Sequence, residues 1–152
     1  MPLEKLKSFL DEQHVKYTML NHSLAYTASE TAASAHLPNN ALAKTVMVKL
    51  DNKLTMVVVP ASMKVNLGRL KSAVGAEEAM LADEDEFEDA FQECEIGAMP
   101  PFGNLYGMDV FVDSHLSEDE EIAFNAGSHT ELMRVAYKDF EKLVRPNVVH
   151  LG

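Results

Sequence analysis

With 152 residues, of which 47% are hydrophobic and 24% charged, the chain has the size and balance of one globular domain, residues 1–152, with a substantial core. A formal net charge of −11 argues against nucleic-acid binding by bulk electrostatics, and no DNA partner is expected. There is no run of eighteen apolar residues to span a membrane, and the lone Cys94 offers no disulfide framework, which suits a reducing cytoplasm.

Leu3, Leu6, Phe9 and Leu10 recur at helical spacing and predict an amphipathic helix over about 3–13 rather than a signal segment. A short strand follows over Val15–Leu20. Thr27-Ala28-Ser29-Glu30 has the form of a capping box, which predicts a small Ala-rich helix to about His36, ended before Pro38. Two β-branched runs, 43–50 and 54–59, are joined by Asp51-Asn52-Lys53 and read as a hairpin. Val57-Val58-Val59 is apolar without alternation, as in a central strand covered on both faces.

Asn66 is placed to cap a helix through Leu67, Leu70 and Val74 that stops at Gly75. A short strand over 79–82 and an acidic helix from Asp83, with Phe87 and Phe91 as its buried pair, come next. The most constrained stretch is Gly97-Ala98-Met99-Pro100-Pro101-Phe102-Gly103, continuing through Gly107 into an alternating run to Asp113. Prolines fix φ and glycines let a ligand approach the backbone, so the stretch is either a tight turn or a frame that presents amides to a polar group. Strands over about 108–112, 121–125 and 131–136 and a last helix from Tyr137, broken before Pro146, complete the order. These elements predict an α+β domain: a mixed, mainly antiparallel β-sheet flanked by helices.

Charge is segregated along the chain. Lys44, Lys49, Lys53, Lys64, Arg69 and Lys71 face only Asp51 between 44 and 71, whereas 83–95 carries eight carboxylates and no base. One face can therefore meet an anion even though the whole is acidic. The plainer account is a solvated helix face and ordinary surface lysines. The six histidines and Cys94 show no metal-ligand spacing, and neither a Gly-x-Ser-x-Gly elbow nor a Walker-type loop is present, so no metal or cofactor is expected. Lys44 opens a strongly apolar strand: it either keeps its head in water at the strand end or reaches into a cleft to hold an anion or carbonyl.

The chain resembles the YbaK/EbsC family of aminoacyl-tRNA deacylases, related to the editing domain of prolyl-tRNA synthetase. The residues that carry the resemblance are Ala43-Lys44-Thr45-Val46-Met47-Val48-Lys49, Val57-Val58-Val59-Pro60-Ala61, the Gly97–Gly103 loop with its Gly-x-x-x-Pro pattern, Val112-Asp113, and Phe124-Asn125-Ala126-Gly127-Ser128. The resemblance implies hydrolysis of the ester that joins a wrong amino acid to tRNA. Lys44 would hold the aminoacyl or terminal phosphate group, and the Gly97 amide would meet the carbonyl or the attacking water. His22 and Tyr26 would line the pocket on one side, Pro101, Phe102 and Gly103 would shape the loop wall, and Asn125, Gly127 and Ser128 would form the opposite wall. The implied partners are aminoacyl-tRNA and, in some members, an aminoacyl-tRNA synthetase. Core or surface roles stay open for His22 and Tyr26. So does the alternative of a non-catalytic module that binds aminoacyl-tRNA or a synthetase.

Overall fold

The fold is built on one hairpin, seen in a computed structural model that describes residues 2–21, 42–61, 63–87, 99–127 and 131–151. Strands β2 (Ala43–Leu50) and β3 (Lys53–Pro60) pair antiparallel in unbroken register, from Ala43 opposite Pro60 to Leu50 opposite Lys53. The turn is two residues long, because Lys53 already belongs to β3. Asp51 and Asn52 both take positive φ, 50° and 68°, the geometry that matches strand twist in a two-residue hairpin. Asp51 also accepts bonds from the Glu77 and Glu78 amides at 2.9 and 2.8 Å, which fixes the next strand beside the turn.

β3 lies inside a five-stranded sheet of order β4 (Ala79–Leu81), β2, β3, β5 (Val110–Asp113), β8 (Asn147–Val149). β2 pairs antiparallel with β3 and β4, whereas β3–β5 and β5–β8 are parallel. A second, antiparallel sheet has the order β1 (Tyr17–Asn21), β7 (Glu131–Ala136), β6 (Glu121–Asn125). Among the described residues a parallel bridge, Leu42 to Ala123, joins the two. The expected mixed, mainly antiparallel architecture is present, divided into two sheets. Helices α1 (Pro2–Glu12), α2 (Leu67–Val74), α3 (Glu84–Phe87), α4 (Ser114–Ser117) and α5 (Tyr137–Val144) pack against them.

Alternation along β3 sends its side chains into two cores. Met56 and Val58 enter a large core with Leu6 and Leu10 of α1, Met47, Phe102, Phe124, Met133 and Phe140. Val57 and Val59 enter a smaller one with Val48, Leu50, Leu70 of α2, Val149 and Leu151. All four β3 residues are wholly buried, as the unalternating valine run predicts. α2 is bounded as its sequence dictates: the Asn66 side chain accepts from the Arg69 amide, and Gly75 ends the helix at φ 71°.

Several elements depart from the sequence expectation. β1 starts at Tyr17 because Val15 donates to the Leu10 carbonyl and His14 turns to φ 57°, so these residues close α1. β8 and α4 were not anticipated. Asp113 caps α4 by accepting from the His115 amide, and its other oxygen accepts from the Leu151 amide at 2.9 Å, which pins the segment after β8. The predicted helix over 27–36, and Phe91 in the acidic helix, lie outside the described residues.

Phe102 is the hub of the large core. Its ring lies 5.5 Å from Phe124, 5.6 Å from Phe140 and 6.5 Å from Phe9. Gly103 follows it into a 3₁₀ turn (Gly103–Leu105), where an added Cβ would stand 2.5 Å from Val110 Cγ2 and 2.7 Å from the Met108 carbonyl oxygen. Phe102→Ala is therefore expected to cost about 3–5 kcal/mol and Gly103→Ala about 1–3 kcal/mol in urea unfolding. Losses within a few tenths of a kcal/mol would contradict this packing.

Candidate functional site

Lys44 is the second residue of β2, opposite Val59 at the open end of the hairpin. Its neighbours Ala43 and Met47 point into the large core, whereas Val46 and Val48 belong to the small one, so Lys44 stands on the small-core face. Half-buried there, its ammonium is held below the ordinary lysine pKa, first by desolvation and then by repulsion from Lys64. Lys64 reaches this end of the hairpin because the chain turns immediately after β3: the Ala61 amide donates to the Leu42 carbonyl at 2.7 Å and the Met63 amide to Pro60 at 2.9 Å.

Four lysines of the 44–71 segment lie at the two ends of the hairpin. Lys49 pairs with Glu86 at 2.6 Å and Lys53 with Asp109 at 2.9 Å, both toward the turn end of the hairpin. At the open end, neither Lys44 nor Lys64 has a carboxylate partner among the described residues. Among the described residues the local charge there is positive, although the whole chain is acidic.

Asn125 ends β6 opposite Leu132. From the Leu42–Ala123 bridge the two strands run in the same direction, so Lys44 and Asn125 each stand two residues beyond it. Ile122, Phe124 and Ala126 enter the large core, which leaves Asn125 on the opposite face, the one Lys44 shares. The Asn125 Oδ1 is buried and has no hydrogen-bond partner among the described residues, a costly state for an amide oxygen unless a ligand or water supplies a donor. Gly127 follows at φ 101°, a conformation that favours glycine, and the Ala126 amide donates to the Glu131 carbonyl to hold the turn.

Lys44, Asn125 and Gly127 are thus brought to one end of the two-sheet junction. Phe102 requires a correction: its side chain is wholly buried in the large core and cannot touch a substrate there, so it braces the loop. Pro101 and Gly103 are buried beside it. His22, Tyr26, Gly97 and Ser128 lie outside the described residues. Lys64 was counted in the basic segment but not singled out as a site residue, since only the turn after β3 brings it to Lys44.

Other polar pairs are structural. Asp113, fully buried, accepts from the His115 amide and ring, and Ser114 Oγ lies 2.7 Å from His150 Nδ1, closing the β5–β8 edge. Among the described residues no group of three or more His, Cys, Asp or Glu is placed to hold a metal ion. None of their helices is long and apolar enough to cross a membrane.

The same fold is found in solved structures at low identity. One is a protein proposed as a trans-editing enzyme for prolyl tRNA synthetase, with TM-score 0.83 and 21% identity over 99% of this chain and 96% of that one. Another is a hypothetical protein with TM-score 0.83 and 19% identity over 95% of this chain and 98% of its own. A third is a scaffold used for computational epitope grafting, with TM-score 0.81 and 20% identity over 99% and 96%. The chain belongs to the aminoacyl-tRNA editing domain family, whose model matches residues 22–143. No curated protein matches it.

The depressed pKa of Lys44 has a consequence for stability. A base whose folded pKa lies below its unfolded one opposes folding while it is protonated. The opposition is relieved as pH rises from the folded toward the unfolded value. Lys44→Met is therefore expected to melt no lower than the wild type at neutral pH, with its advantage shrinking as pH is raised into the lysine range. Thermal melts across that range check this, and a variant several degrees less stable at neutral pH would contradict it.

Proposed function

We propose that this chain is a trans-editing aminoacyl-tRNA deacylase that hydrolyses the ester of a small mischarged amino acid on tRNA. The observation that carries this reading is the desolvated Lys44 ammonium beside Lys64, with no carboxylate paired to either among the described residues. Such a pair favours an anion, and the 3′ end of an aminoacyl-tRNA offers a phosphodiester next to the scissile ester. Family membership and a fold shared along nearly the whole chain with a protein proposed as a trans-editing enzyme support the assignment.

In the proposed reaction a water oxygen attacks the ester carbonyl, and the carbonyl π electrons move onto its oxygen. The Gly97 amide donates to that oxyanion while Lys44 holds the terminal phosphate or the aminoacyl carbonyl. Collapse of the tetrahedral species expels the ribose hydroxyl oxygen, which takes up the proton lost by the water. The products are the free amino acid and tRNA with its terminal hydroxyl restored. The Asn125 Oδ1 accepts from the substrate ammonium, with Gly127 and Ser128 along the same wall and His22 and Tyr26 facing them. Pro101, Phe102 and Gly103 hold the loop's shape. An aminoacyl ester is already activated, so positioning and oxyanion stabilisation suffice without a side-chain nucleophile or a cofactor. A pocket that admits only small residues acts as a second sieve after charging. Alanine, serine, threonine and cysteine on non-cognate tRNAs are the substrates to try, with or without a synthetase present.

The test is release of amino acid from a panel of mischarged tRNAs. Lys44→Ala is expected to lose about 10²–10³ in rate with an unchanged circular dichroism spectrum. Tight binding of the panel without turnover would instead favour a non-catalytic aminoacyl-tRNA or synthetase-binding module. Lys64→Met is expected to raise KM and to flatten the salt dependence of log KM by about one phosphate contact, a slope change of roughly 0.7, with kcat little changed. An unaltered salt slope would remove Lys64 from the RNA contact.

A further inference from the structure

The edge of the five-stranded sheet at β4 departs from the usual treatment of sheet edges. Exposed edges are normally blunted by lysine, proline or a bulge, because their unpaired amides and carbonyls invite another strand. β4 reads Ala79-Met80-Leu81 and has none of these. Met80 is 43% exposed and Leu81 58%. The two stand on opposite faces of the sheet, since Met80 is opposite Lys49 and Leu81 opposite Val48. A strand added here would find an apolar neighbour on each side.

The edge is held rigidly. Asp51 accepts from the Glu77 and Glu78 amides just before β4, and its own amide donates to the Glu78 carbonyl at 3.1 Å. Just after β4 the Ala82 amide donates to the Met47 carbonyl at 3.0 Å. The Lys49–Glu86 pair fixes α3 against β2. Because β4 is only three residues long, it pairs with β2 at Val48–Leu50 and leaves the β2 edge beyond it free of a described strand. There a groove of about 280 Å³ opens, with Leu81, Met47, Phe87 and Met99 among its walls.

Charge identifies the occupant. Glu77 and Glu78 precede the strand and Asp83, Glu84 and Asp85 follow it, all exposed. A second copy of a chain with net charge −11 would bring like charges together at this edge. We propose that the β4 edge is a strand-addition site for a partner protein segment whose apolar core is flanked by lysine or arginine. Main-chain bonds to the side of β4 that no described strand pairs supply affinity, Leu81 and the adjoining groove take an apolar side chain, and the acidic flanks set the required charge. The groove borders the Gly97–Gly103 loop at Met99, but the strand that would be extended, Ala79–Leu81, carries none of the residues assigned to deacylation.

The full chain is titrated into a fluorescein-labelled peptide of alternating valine and threonine flanked by two lysines at each end, with a glutamate-flanked peptide as control. The lysine-flanked peptide is expected to bind at least about tenfold more tightly, to weaken as salt is added, and to slow amide exchange at Ala79–Leu81. Leu81→Lys is expected to abolish binding while leaving the melting temperature and any deacylation intact. Strand addition tolerates sequence because its bonds are largely main-chain, so failure of the lysine-flanked peptide to bind would overturn the proposal. Equal binding of the two peptides, or binding retained by Leu81→Lys, would do the same. Concentration-dependent dimerisation of the free protein that Leu81→Lys removes would give the edge to a second copy instead.

Discussion

The burial of β3 on both faces is the constraint from which the rest of the structure follows. A strand lined by valines on both sides cannot rest on one layer of helices. It demands apolar cover above and below, and the chain supplies two unequal cores. The large one recruits α1, the second sheet and the phenylalanine cluster, while the small one is closed by α2 and the segment after β8. Because β2 is paired to β3 along its full length, every β2 side chain is assigned to one face of the sheet or the other. Lys44 is carried to the small-core face by the same alternation that packs Val46 and Val48 against that core.

That assignment gives Lys44 its character. A lysine at an apolar strand end would usually keep its ammonium in water, at little cost. Here desolvation and Lys64 act together against the protonated form, and no described carboxylate relieves them. The Asn125 oxygen, buried without a donor on the same side of the junction, is a second unsatisfied group. Two polar groups of opposite demand, without partners among the described residues and within one short stretch of the sheet junction, cost the fold stability. An aminoacyl-tRNA end carries both complements, a phosphate for the lysine and an ammonium for the amide oxygen.

Much of this was legible in the sequence because the signals were local. The hairpin, the Asn66 and Gly75 caps of α2, the valine run and the last helix all rest on short-range rules of turn chemistry, capping and periodicity. What was not legible depends on distant partners. β8 is three residues long and follows a proline, and it is a strand only because β5 lies beside it in parallel. The division into two sheets rests on one bridge between residues about eighty positions apart. The Pro/Gly loop drew attention as a surface, and its proline and glycine constraints are real. Phe102 shows that part of their purpose is to deliver a ring to the core centre, which composition alone cannot separate from a binding role. Lys64 was one lysine among several until the turn after β3 set it beside Lys44.

The acidity of the chain is consistent with an RNA substrate once charge is followed in space rather than summed. Screening confines a surface charge to roughly 8–10 Å at physiological ionic strength, so an approaching phosphate responds to its neighbours and not to the total. Near the hairpin turn Lys49 and Lys53 are paired with Glu86 and Asp109, whereas Lys44 and Lys64 at the open end have no such partner among the described residues. The carboxylates gather instead around β4, along the edge of the same sheet. One strand pair thus separates an electropositive end from an electronegative edge, and the two would select partners of opposite charge.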